Sequence, residues 1–107
     1  MTKKTRKVVM KESEIRKRVI ALQEEKGWYC WYPRKVKFHE SDIFGIGDLI
    51  CSKKGKIKLI QFTTATNMSH RRKKIHRVLD NMELGCPIEI WAMRKDESFK
   101  VEVINQE

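Results

Sequence analysis

Apolar positions along the chain first follow a helical period, then a strand period, and then repeat that order. From about Lys11, Ile15, Val19 and Leu22 recur at i, i+4 and i+7, with Ile20 widening the stripe, the spacing of an amphipathic helix. "EEKG" supplies its end, with Gly27 suited to the left-handed C′ position. "WYCWYPRKVKF" follows, aromatic-rich and β-prone, and Pro33 points to an edge or a bend. A second strand is predicted over 43–52, ending at "KKGK", a hairpin signal centred on Gly55. A third, rich in β-branched residues, is predicted over 57–66. Helical period returns in "NMSHRRKKIHRVLDNMELG", where Ile75, Val78, Leu79 and Met82 form one stripe. Asn67 or Ser69 is the expected cap, Gly85 the stop, and Pro87 prevents continuation. "PIEIWAM" and "FKVEVI" close the chain as two strands parted by a charged turn at 94–98. The expected product is one α/β or α+β domain over 11–107, helices on a mixed sheet, preceded by a basic arm at 1–10.

Composition fits one core. The 107 residues are 40% hydrophobic, with three Trp, four Phe and two Tyr, enough to fill a single domain. No run approaches the ~18 apolar residues of a membrane span, and the N-terminus lacks the apolar stretch of a secretory signal. Cys30, Cys51 and Cys86 are odd in number and widely spaced, which speaks against a disulfide framework and suits a reducing cytoplasm. Small buried hydrophobes are their expected role. His39, His70 and His76 lack a zinc-site spacing.

Charge narrows the partner. Lys and Arg number 24 against 14 acids, a net charge of +10, and an excess of that size favours an extended polyanion, nucleic acid or an acidic membrane surface. "SHRRKKIHRVLD" carries Arg71, Arg72, Lys73, Lys74, His76 and Arg77 almost without acids, unlike the mixed charge of an ordinary solvated helix. Phosphate contact is the better reading of that run. "PRKVKFH", with Arg34 and Lys35, and the arm's "TKKTRK" extend the footprint. Trp28, Tyr29, Trp31 and Tyr32 are candidates for stacking on bases, although alternation assigns some of these rings to the core. A membrane surface fits less well, because the basic helix has no large aromatic face.

The chemistry sits in "DIFGIGDLICSKKGKIKLIQFTT". Asp48 and Gln61 stand in strands that otherwise read as apolar. Alternation puts Gln61 and Thr63 on one side of the third strand, and Asp48 across the hairpin can reach the same region. A buried carboxylate needs a cation or hydrogen-bond donors. A divalent metal held by carboxylate, amide and carbonyl oxygens is one solution; a structural Asp bonded at a strand end is the other. The "GIGD" glycines lack the third glycine and following helix of a phosphate loop, so Gly45 and Gly47 read as a bulge or close backbone approach. Asp42 reads as a turn residue or cap.

"SDIFGIGDLI", a hairpin and then "LIQFTT" resemble the core motif of the PD-(D/E)XK nuclease superfamily, over roughly residues 12–94. The resemblance implies an α/β fold with a restriction-endonuclease-like αβββαβ core, a mixed central sheet flanked by helices. Carried over by position, Asp48 matches the first Asp, Gln61 the acid, and Thr63 the Lys, while Glu14 is the best candidate for the helical acid, with Glu12 second. The implied cofactor is Mg²⁺, or Mn²⁺ in its place, at Asp48, Gln61 and Glu14. The implied activity is metal-dependent DNA endonuclease cleavage, structure-selective or resolvase-like, by a homodimer acting on double-stranded or branched DNA. Gln61 brings no negative charge and Thr63 no ammonium, so a lysine from elsewhere (Lys58, Lys73 or Lys74) would have to serve. The competing expectation is a DNA- or RNA-binding module that keeps the fold without the chemistry.

Overall fold

The structure, a computed structural model, describes residues 12–33, 43 and 46–104. Its first element, α1 (Glu12–Glu25), buries Ile15, Val19 and Gln23 on one face, with Ile20 and Leu22 flanking them against the core. The helix ends in a Schellman motif: Trp28 N–H donates to the Gln23 carbonyl and Gly27 N–H to that of Glu24, each at 3.0 Å. Gly27 takes φ +90° there, a conformation that a β-carbon would disfavour.

Among the described residues five strands form one sheet, in spatial order β1 to β5. β1 (Tyr29–Trp31), β2 (Leu49–Lys53) and β3 (Lys56–Thr64) are an antiparallel meander. The β2–β3 turn places Lys54 at φ 45° and Gly55 at φ 81°, the doubly left-handed pattern of a type I′ hairpin. A short 3₁₀ turn (Ala65–Asn67) and α2 (Met68–Leu79) then carry the chain back over the sheet. β4 (Ile88–Met93) consequently pairs parallel to β3, and β5 (Phe99–Ile104) pairs antiparallel to β4. A parallel pair requires such a crossover.

Central placement explains the composition of β3. Its residues 58–63 are all buried, because each face of the sheet is covered by a helix. Ile60 and Phe62 join Leu49, Cys51, Trp91 and Met93 under α1 residues Ile15 and Val19. Leu59 joins Ile46, Ile88, Ile90 and Ile104 beneath Met68 and Ile75 of α2. None of the three cysteines is in a disulfide: Cys51 is buried, and Cys30 and Cys86 are half-buried. Burial, followed by the neighbouring Cys30, pushes the Cys51 thiol up to about 12, so it packs as an apolar group.

The element order is the expected one, and the boundaries differ in three places. β2 begins at Leu49; before it, Ile43 and Gly47 form only an isolated bridge. Gly47 is there because space is short: a β-carbon on it would lie 3.4 Å from Leu59 Cβ and 3.5 Å from Ile43 Cβ. β3 stops at Thr64. Lastly, α2 ends at Leu79 in a turn where Asn81 N–H donates to the Val78 carbonyl at 3.0 Å, leaving Met82 beyond the helix. Asn67 precedes α2 and makes no side-chain capping bond; Ser69 lies inside it. The arm at 1–10, Arg34, Lys35, His39, Asp42 and Gly45 lie outside the described residues.

Gln23 is the anomaly of the α1 core. It is fully buried, and neither its Nε2 nor its Oε1 has a hydrogen-bond partner. A buried polar group left unpaired costs about 1–3 kcal/mol. Gln23→Met, which keeps the length and drops the amide, should raise stability by about 1 kcal/mol in a urea melt. A lower midpoint would show that the amide has partners in solution.

Candidate functional site

The sheet register builds the site row by row on the face covered by α2. Leu49 opposes Ile60, and Asp48 N–H donates to the Ile60 carbonyl at 2.8 Å, which sets Asp48 across from Gln61. Gln61 in turn opposes Ile90, and Ile90 opposes Glu102. The next row is Thr63, Ala92 and Lys100. Asp48, Gln61 and Thr63 therefore share a face at the end of the β2–β3 ladder, as alternation predicts.

Asp48 meets Gln61 directly. Gln61 Nε2 donates to Asp48 Oδ2 at 2.6 Å, and the backbone N–H of Phe62 donates to the same oxygen at 3.0 Å. The second bond explains the short β2. Where the neighbouring strand has turned away, the Asp48 side chain supplies the acceptor that a further ladder residue would have supplied. Gln61 and Thr63 are only 5% and 7% exposed, so the amide needs that acceptor.

The remaining expected partners lie elsewhere. Glu14 sits on α1, which packs on the opposite face of the sheet. Its side chain is 55% exposed, faces Lys17 at 3.8 Å, and makes no bond to Asp48 or Gln61. Lys58 also points to the α1 face. There its Nζ lies 3.1 Å from Glu89 Oε1 and 4.2 Å from the centre of the Trp28 ring, while Trp91 Nε1 donates to the same carboxylate. Lys58 is thus held in a nearly buried ion pair, remote from the role of a substitute lysine beside Gln61.

On α2 the basic residues divide into two groups. Arg72 forms a bidentate pair with Glu102, Nε and Nη2 each at 2.7 Å from an oxygen. The guanidinium holds the Glu102 carboxyl below the usual carboxylate range through its hydrogen bonds and charge, with burial opposing. This pair ties α2 to β5. Arg71 is half-buried, with Nε enclosed and unbonded, and Lys74 is half-buried too. Lys73 and Arg77, by contrast, stand exposed one turn apart, flanked by exposed His70 and His76. Neither cation has an ion-pair partner among the described residues.

The donor set bears on the implied Mg²⁺. Hard divalent cations take several oxygen ligands, usually with more than one carboxylate. Here one carboxylate stands beside an amide that presents N–H to it, and among the described residues no three of His, Cys, Asp and Glu gather. These residues do not fit a divalent cation. Neither protein-family models nor curated proteins match the chain.

Two acids escaped the sequence reading, Glu102 and Glu89. The signal for Glu102 was present: in "FKVEVI" it shares a face with Ile104, which is buried toward α2. Asp48→Ala should strand both the Gln61 amide and the Phe62 N–H and lower stability by about 1–3 kcal/mol. Asp48→Asn keeps an acceptor oxygen and should lose less. Urea unfolding of the two variants checks this ordering, and equal losses would contradict it.

Proposed function

We propose that the chain is a DNA-binding module on a PD-(D/E)XK-type core that holds the phosphate backbone without cutting it. The carrying observation is the exposed pair Lys73 and Arg77, unpartnered among the described residues, on a helix whose sequence, MSHRRKKIHRVL, contains no acid. Surface cations without carboxylate partners, in a chain of net charge +10, are available to neutralise phosphates and release counterions. Such groups position a duplex without reading its sequence. The family assignment draws support from the antiparallel meander, the helix and the following parallel strand, with Asp48 and Gln61 at the hairpin. A homodimer belongs to that family reading, and a cytoplasmic setting follows from the odd, widely spaced cysteines.

Hydrolysis at Asp48 competes, because Asp48 and Gln61 do meet at 2.6 Å where the family places its acids. The chemistry present favours binding alone: one carboxylate already takes two N–H donors, and Glu14 and Lys58 are engaged on the other side of the sheet.

One set of assays separates the two. Labelled linear, flapped and four-way DNA should be bound equally in Mg²⁺, Mn²⁺ or EDTA, with no cleavage. Affinity should fall with salt, and Lys73→Ala with Arg77→Ala should flatten the log–log slope by about 0.9 for each phosphate no longer neutralised. Arg72→Ala should instead lower stability, because Glu102 is left without its guanidinium. Metal-dependent cutting that disappears in Asp48→Asn would overturn the proposal in favour of the nuclease.

A further inference from the structure

The two edges of the sheet differ in what they leave uncovered. Cys30 Sγ lies 3.6 Å from Cys51 Sγ, and Cys51 belongs to the core under α1. Strand alternation therefore turns Tyr29 and Trp31 to the other face, the one α2 covers. But α2 lies over β3 and β4, so the rings of β1 stand beyond it. Tyr29 is 81% exposed and Trp31 60%. They oppose Ser52 and Ile50, and Ser52 opposes Ile57, itself 41% exposed.

Exposed aromatic rings on a short edge strand are an aggregation hazard, which makes a ligand for them worth seeking. The surroundings specify its charge. The β2–β3 turn at the Tyr29 end of this surface carries exposed Lys54, which has no ion-pair partner among the described residues. Flat rings beside an unpaired ammonium group match a ligand offering flat faces on an anionic thread.

We infer that Tyr29 and Trp31 form a stacking platform for unpaired bases of single-stranded DNA, with Lys54 on its phosphates. The inference rests on the DNA-binding reading and adds the strand state that the protein prefers. Spacing supports an unpaired strand. Residues two apart on one face of a strand are about 6.6 Å apart, roughly twice the 3.4 Å between stacked nucleotides of one strand. The two rings therefore accept bases of a stretched strand and not the closed stack of a duplex. Trp28 takes no part: it packs against the α1-face core beneath the Lys53 and Lys58 ammonium groups.

The test compares a fluorescent oligothymidylate, an abasic oligomer of equal length and a duplex, by anisotropy at fixed salt. Tyr29→Ala and Trp31→Ala should each weaken oligothymidylate binding by about fivefold to a hundredfold, while duplex and abasic binding stay within about twofold. Trp31→Phe, which keeps an aromatic face, should restore most of the affinity. Both positions are exposed, so these substitutions leave the fold standing. Unchanged oligothymidylate binding, or equal losses on all three probes, would overturn the platform while leaving duplex binding intact. Tighter binding to an oligouridylate would overturn the choice of DNA. Wild-type protein that binds none of the DNA probes would instead remove the DNA-binding reading itself.

Discussion

The bond from Gln61 Nε2 to the Asp48 carboxylate is the condition on which the buried central strand rests. β3 is packed on both faces, so any polar side chain there must find its partner inside the protein. Gln61 finds Asp48, and through Phe62 N–H the same carboxylate closes the ladder where β2 begins. Lys58, on the opposite face, finds Glu89 and the Trp28 ring. Each pair joins residues distant in sequence, so each also fixes which strands lie together: Asp48 pins β2 to β3, and Glu89 pins β3 to β4. Arg72 and Glu102 extend the same logic outward, fastening α2 to β5. The pairs at Asp48 and Arg72 bracket the α2 face, and Lys58 with Glu89 braces the other.

Much of this was legible in the sequence. The stripe of Ile15 and Val19, the turn at Gly55 and the stop at Gly27 are local signals, and local signals carry the element order. Alternation also placed Gln61 and Thr63 together. The boundary of β2 was legible only in part: Gly47 announces a close backbone approach, but the Asp48 side chain that ends the ladder leaves no local signal. The engagement of Lys58, Arg72 and Glu14 was not legible. A lysine in a strand or an arginine in a basic run looks the same whether it meets phosphate or a carboxylate thirty residues away. Sheet order decides which, and sheet order is a long-range property. Gln23 shows the same limit from the other side: it continues the Ile15–Val19 stripe at i+8, and helical position alone buries it.

The functional reading follows from how the polar groups are partitioned. Gln61, Lys58 and Arg72 are paired within the protein, while Lys73 and Arg77 on α2 and Lys54 and Lys56 on the hairpin are left to the solvent. A family resemblance placed a metal at Asp48; the bonds there describe a carboxylate that completes a β-ladder.

The most direct measurement is the melting temperature of the wild-type protein and of Asp48→Asn titrated with Mg²⁺. An ion that binds only the native state stabilises it by RT ln(1 + c/Kd), with c the free Mg²⁺ concentration, so the gain keeps growing with the logarithm of concentration above Kd. With Asp48 engaged by Gln61 and Phe62 N–H, neither protein should gain stability as Mg²⁺ rises through the millimolar range. A rise in the wild type that climbs with the logarithm of Mg²⁺ concentration and vanishes in Asp48→Asn would show a metal at this carboxylate.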